Sequence, residues 1–237
     1  MPVDDPVAHA HARVLDVLAV APRPLVLEAG CGTRSHLTYP PAARVVGVDL
    51  LSGQLRRNHD TRLRAQGDVT ALPVASASAD VVVCWDVLEH LPEPARAIGE
   101  VARVLQPRGL AVLALPHVLS LKGLVTRLTP WPVHVWVYRH LLGDATAGTD
   151  AFHQFPTTLR LALRPAGLRR LACAHGLRVE SLALYEGPVS RHLRRRHHLA
   201  DVLLGAAGLA SRVLSAGRYD TTLSDMIAVL VRDGDRS

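Results

Sequence analysis

Short, almost unbroken aliphatic runs alternate along this chain with segments of helical spacing. In the first half the runs fall near 25–29, 45–49, 80–85 and 110–115, reading LVLEA, VVGVD, DVVVCW and LAVLAL. A half-exposed strand would alternate apolar and polar positions. Runs without that alternation suit parallel strands covered on both faces. Residues 7–20 place apolar positions at helical spacing and stop before Pro22 and Pro24. Residues 92–105 read as a second helix, with prolines at its start and Ala97, Val101, Val104 and Leu105 on one face, ended by QPRG. The second half predicts a helix over 157–175, broken near Arg164-Pro165, and strands at 177–185 and 225–232. Two interruptions, about 117–156 and 186–224, separate these elements, and the second holds an apolar helix candidate at 199–214. Strands and helices in alternation predict an α/β fold with a doubly wound, mostly parallel sheet. One domain over 1–237 with two insertions accounts for the pattern.

At 49% hydrophobic residues, the 237-residue chain can fill a sizeable core. No apolar run approaches the roughly 20 residues of a membrane span, and the acidic start lacks a signal-peptide pattern, so a cytoplasmic protein is expected. The three cysteines, Cys31, Cys84 and Cys173, show no metal-ligand spacing, and no metal site is expected. Net charge is +6, with Lys122 the single lysine beside 26 arginines. The charge concentrates at 191–198, RHLRRRHH. That block is either a solvated surface run or an anion-binding face.

LVLEAGCG at 25–32 is followed, seventeen residues after Gly32, by Asp49 at the end of the next aliphatic run. Glycines let backbone approach a ligand, and a carboxylate at a strand tip can accept both hydrogen bonds of a ribose diol. The pair therefore predicts a nucleoside-bearing cofactor. A dinucleotide site would want GxGxxG, whereas GCGTRSHL puts Arg34 and His36 after the first two glycines and leaves no seat for a pyrophosphate.

Four segments in order, LVLEAGCGT, VVGVDL, GDVTALP at 67–73 and DVVVCWDVLEHLPEPARAIGEVARVLQPRGLAVLALPH, resemble the class I S-adenosylmethionine-dependent methyltransferases of the type-11 subgroup. The resemblance covers about 24–117 well and the remainder loosely. It implies a Rossmann-like, seven-stranded sheet, with the two insertions capping an acceptor site, and S-adenosyl-L-methionine as cofactor. It also implies roles by residue. Gly30, Cys31 and Gly32 would pass beneath the methionine and ribose portions, with Glu28 near the ammonium end. Asp49 would hold the ribose hydroxyls and Leu50 would pack on adenine. Asp68 would accept the adenine amino proton and Val69 would offer a backbone N–H. The backbone through Cys84, Trp85 and Asp86 would face the methionine.

The segment after the glycines departs from that family, which usually reads GCGTG followed by a full helix. Here Arg34 replaces a glycine, and Pro40-Pro41 leave room for about one helical turn with a weak dipole. Arg34 is thus a candidate to supply positive field toward the cofactor's carboxylate or an anionic acceptor, as against a plain surface arginine.

Methyl transfer from a sulfonium needs alignment and exclusion of water, and a hydroxyl acceptor gains from a general base. His117, just beyond the 110–115 run, and His134 in the first insertion are the catalytic candidates. His90, His140 and His153 are also present. Trp131, Trp136 and Tyr138 could stack on a flat or sugar-like acceptor, seat at a membrane interface, or form the insertion's own core. The expected partner is a small-molecule acceptor (metabolite, glycan or lipid-linked), methylated at oxygen, with peripheral membrane contact through the insertions open. Against a nucleic-acid substrate, CWDV stands where exocyclic-amine enzymes carry an NPPY-type tetrapeptide, and no RNA-binding module is visible. A repurposed, non-catalytic cofactor binder is the remaining class, and nothing in the sequence sets an oligomeric state. Arg34→Ala is expected to weaken binding of cofactor or acceptor; superimposable titration curves for both would remove the role given to Arg34.

Overall fold

The computed structural model describes residues 5–121, 123, 130–140, 160–196, 198–217 and 220–234. Seven strands form one sheet in the order β3-β2-β1-β4-β5-β7-β6. They are β1 (Leu25–Ala29), β2 (Arg44–Asp49), β3 (Leu63–Gln66), β4 (Ala79–Trp85), β5 (Leu105–Pro116), β6 (Leu177–Tyr185) and β7 (Asp225–Arg232). The pairs among β1 to β5 are parallel, and β7 runs antiparallel to both β5 and β6. The doubly wound, mostly parallel sheet expected from the sequence is present. Strand β3 was not among the predicted runs, because LRAQ is mostly exposed and carries no aliphatic signal.

The aliphatic runs follow from what covers the sheet. Residues alternate between its faces. Val81, Val83, Leu110, Val112 and Val229 pack with Ala10, Val14 and Leu18 of helix α1 (Pro6–Val20). Val82, Cys84, Ala111, Leu113 and Ala228 pack with Ile98 and Val101 of α3 (Pro94–Val104) and with Leu168 and Ala172 of α5 (Pro165–Ala174). Both faces are thus buried, and neither admits polar alternation. Helix α1 starts where Asp5 accepts the amides of Val7 and Ala8, with Pro6 in its first turn. The expected break at Arg164-Pro165 separates a 3-10 turn, Leu161–Leu163, from α5. Helix α2 (Ser52–Arg57) follows β2, and α4 (Trp131–His140) lies in the first insertion. The second insertion is two helices, α6 (Pro188–Arg196) and α7 (His198–Leu214). The basic block therefore lies mainly on a helix of its own, preceding the apolar one.

Strand order reverses between β1 and β4, each of which leads into a loop at the carboxyl edge. Open α/β sheets bind ligands at such a reversal. Because β7 runs the other way, its first residue, Asp225, joins that edge, opposite Pro116 of β5 and Tyr185 of β6. Three non-glycine residues in the first half adopt left-handed backbone: Ala77, Asp86 and Arg108. Arg108, with φ of 66°, lies within β5 where the register with β4 shifts, between the pairs Ala79–Leu105 and Val81–Leu110.

Candidate active site

The turn after β1 is held from three sides. The amides of Gly30 and Cys31 both donate to the carbonyl of Val48, at 2.7 and 3.0 Å. Gly32 N–H donates to Asp49 Oδ2 at 2.9 Å, while Leu51 N–H donates to Asp49 Oδ1 at 2.9 Å. The carboxylate predicted to meet a ribose is therefore already aimed by two amides, with lone pairs left over on each oxygen. Gly30 and Gly32 have φ of 77° and 54°. A Cβ on Gly30 would lie 2.3 Å from Cγ2 of Val87, so the loop after β4 closes directly over this glycine. No side chain larger than hydrogen fits there without displacing one loop or the other.

From below, Asn58 completes the support. It is fully buried, and its side-chain amide donates to the carbonyls of Cys31 and Gly32 at 3.3 and 3.2 Å. Its Oδ1 accepts from the amides of Asp60 and Thr61, both at 3.0 Å. The sequence reading missed Asn58, since an asparagine in RRNHD resembles any loop residue. Only its burial and its reach across the chain distinguish it.

The other predicted cofactor residues fall in different settings. Leu50 is 62% exposed beside Asp49, an apolar surface at the position expected to meet adenine. Asp68 is exposed and accepts Thr70 N–H at 2.7 Å, and Val69 is buried next to it. The side chain of Cys31 turns down against Gly47, buried, its thiol pushed up to about 12 by desolvation and then by the charges of Asp49 and Glu28. Only its backbone faces the turn. Glu28 is buried, with Oε2 accepting from the Ser35 hydroxyl and Oε1 from the Tyr39 phenol, both at 2.8 Å. Burial raises the pKa of Glu28, and these two hydrogen bonds offset only part of that rise. These bonds tie the 30–43 connection to β1. That connection contains no helical turn, where the sequence suggested about one: the two prolines and the Glu28 anchor replace it with turns and bends.

Trp85 leaves the tip of β4 and stacks face to face on His36, with ring centroids 4.9 Å apart and planes 4° from parallel. Asp86 follows with φ of 53°. One face of the His36 ring lies against Trp85, and the residue as a whole remains exposed. Partial desolvation, then the charge of Arg34, lowers its pKa to about 4, so the stack is neutral at pH 7. Arg34 itself is exposed. The stack was not foreseen, because 49 residues separate the two rings.

His117 sits beyond β5, 2% exposed, with its amide donating to Ser224 O at 2.8 Å. Nδ1 lies 3.3 Å from the carbonyl of Leu223. A carbonyl only accepts, so this contact assigns the proton to Nδ1 and the lone pair to Nε2. Nε2 is buried with no hydrogen-bond partner among the described residues. Burial lowers the pKa of His117, while the Leu223 contact and the charge of Asp225 act the other way. Tyr185 and Asp225 flank the same edge, and burial followed by the Asp225 and Asp86 charges keeps the Tyr185 phenol protonated. His134 lies on α4, but its side chain falls outside the described residues, as do those of Trp131 and Tyr138 and the whole of His153. His140 is exposed near Trp136. Among the described residues no three His, Cys, Asp or Glu side chains gather as metal ligands, and no helix is long and apolar enough to cross a membrane.

Residues 27–113 match the family model of a methyltransferase domain. Over 112 residues the chain is 35% identical to a probable S-adenosylmethionine-dependent methyltransferase of Mycolicibacterium smegmatis, an alignment covering 45% of this chain and 44% of the relative. Over 152 residues it is 32% identical to a malonyl-[acyl-carrier protein] O-methyltransferase of a Methylovorus species, covering 55% and 51%. The chain thus spans about half the length of these curated relatives. The crystal structure of YcgJ from Bacillus subtilis matches 95% of the chain with a TM-score of 0.57 at 15% identity, a likeness of fold. The matched segment is thus similar to S-adenosylmethionine-dependent methyltransferase domains, whose cofactor is S-adenosyl-L-methionine.

The residues present fit the nucleoside half of that cofactor: a pre-aimed carboxylate at Asp49, an exposed apolar neighbour at Leu50 and a glycine turn admitting no side chain at Gly30. Asn58→Ala would leave two carbonyls and two amides, one of each buried, without their partner, for an expected loss of about 2–4 kcal/mol in stability. Affinity for S-adenosylmethionine should fall along with it. Chemical denaturation and calorimetric titration of the variant check both; if stability and affinity are unchanged, Asn58 does not hold the turn.

Proposed function

We propose that this protein transfers a methyl group from S-adenosylmethionine to an oxygen of a small-molecule acceptor, with His117 as the general base. The observation that carries the proposal is the buried Nε2 of His117 at the carboxyl edge of the sheet, without a hydrogen-bond partner among the described residues, its lone pair assigned by the Leu223 carbonyl on Nδ1. Relatives named as O-methyltransferases support oxygen as the target atom.

The bound cofactor would supply a methyl group already activated on a sulfonium. This chain's residues would do the rest. Asp49 accepts the ribose hydroxyls, Leu50 covers one face of adenine, and Asp68 with Val69 reads its edge. The backbone of the glycine turn passes beneath. Arg34, exposed at the open side of the turn, offers charge to a carboxylate. The Trp85–His36 stack forms an aromatic wall beside the reacting groups. It excludes water and limits how the acceptor can lie. Nε2 of His117 takes the acceptor's hydroxyl proton as the oxygen becomes nucleophilic. Because burial holds the imidazole neutral at pH 7, it is ready to do so, and the charge of Asp225 steadies the imidazolium that forms.

The test incubates purified protein with S-adenosylmethionine and a panel of hydroxylated aromatic, acyl and glycan acceptors, following S-adenosylhomocysteine by mass spectrometry. Acceptor-dependent product is expected; binding of cofactor without turnover on any acceptor would contradict the proposal. His117→Gln should lower kcat by about 10²- to 10⁴-fold with little change in KM for the cofactor. In the wild type kcat should rise with pH and level off before neutrality, since the folded pKa of His117 lies below 6.5. The variant should lack that acid limb, and an unaltered profile would remove His117 from the mechanism.

A further inference from the structure

Helix α7 presents an apolar face that nothing in the described chain covers. Val202, Leu203, Leu209, Val213 and Leu214 are between 54% and 88% exposed, and Ala206 and Ala210 are exposed between them. At 100° per residue these seven side chains occupy an arc of about 140° that contains no polar group. The opposite side, with Leu204, Gly208 and Ser211, turns toward the protein: Gly208 is buried against Thr222, and Ser211 meets Thr221 at 3.1 Å. Asp201 and Arg212 lie outside the arc. Single exposed aliphatics are ordinary on a protein surface, but a continuous stripe on one helix is not.

Charge beside the stripe is one-sided. Helix α6 packs on α7 and carries four arginines. Arg194 is neutralised, with Nε 2.7 Å from Asp201 and a terminal nitrogen 3.5 Å from Glu186. Arg191, Arg195 and Arg196 are exposed and form no ion pair with any described residue. Arg191, Arg194 and Arg195 line a shallow surface depression with Glu186 and Asp201. An apolar helical arc with unneutralised guanidinium groups on the helix beside it matches the boundary of an anionic bilayer, where acyl chains meet phosphate headgroups. A soluble acidic protein would satisfy the arginines but leave the leucines in need of a matching apolar patch.

We propose that α6 and α7 dock this protein on an anionic membrane surface, with Leu203, Leu209 and Val213 entering the acyl region and Arg195 and Arg196 meeting the headgroup phosphates. The inference is independent of the acceptor and of the base assigned above, and its readout is binding, not turnover. The full chain is sedimented with vesicles of phosphatidylglycerol and phosphatidylcholine, and with vesicles of phosphatidylcholine alone. Binding to the mixed vesicles, weaker by tenfold or more on neutral ones, is expected. L203S/L209S/V213S and, separately, R195E/R196E should each lose at least tenfold in affinity while keeping the wild-type melting temperature, since all five side chains are exposed. Leu209→Trp should show a blue-shifted emission on adding anionic vesicles. No sedimentation with anionic vesicles overturns the proposal. So does equal binding by wild type and both variants, or a dimer on light scattering that L203S/L209S/V213S dissociates, because a second copy would then be the stripe's partner.

Discussion

The tie between Gly32 and Asp49 is the contact on which the candidate site depends. One carboxylate oxygen takes the glycine amide and the other the amide of Leu51. The glycine turn after β1 and the tip of β2 are thereby held as a single surface. Val48 binds the two preceding amides, Asn58 holds the carbonyls from beneath, and Val87 presses on Gly30 from the β4 side. Each of these contacts is local, yet together they fix backbone from three strands at the point where strand order reverses. A ligand meeting that surface finds its polar groups already oriented, so little of its binding energy is spent on ordering the protein.

The same economy explains the unusual connection that follows. A helix after the glycine turn would ordinarily cover this part of the sheet and direct its amino end at the ligand. Here two prolines prevent it, and the buried carboxylate of Glu28, bonded to Ser35 and Tyr39, anchors an irregular segment instead. The segment brings His36 onto Trp85. A polar residue within β1 is thus spent on loop conformation, and the loop places an aromatic ring on the tip of β4.

Much of this was legible in the sequence where a single physical demand acts on consecutive residues. Strands covered on both faces must be aliphatic throughout, so β1, β2, β4, β5 and β7 announced themselves, while β6, an edge strand carrying Arg178 and Glu180, was legible from its remaining aliphatic positions. A glycine turn with a carboxylate at the next strand tip is similarly compact. Strand β3 was silent because it lies exposed at the sheet edge. Asn58 and the partnership of His36 with Trp85 were silent for another reason: each matters through residues far away in the chain, and nothing in the local pattern marks it. His117 was visible as a histidine after a strand, but its tautomer came only from the Leu223 carbonyl. The basic block looked like a solvated run or an anion site; its relation to a bare apolar arc on the next helix required the fold.

The central claim is that the surface organised by Asp49 receives the adenosyl half of S-adenosylmethionine. Isothermal calorimetry with S-adenosylmethionine and S-adenosylhomocysteine on the wild type and on Asp49→Ala tests it most directly. Both compounds should bind the wild type with one site per chain, and the substitution should weaken both by at least tenfold, since it removes the ribose acceptor and the tie to Gly32 together. Equal affinity in the two proteins, or binding of neither compound to the wild type, would contradict the account.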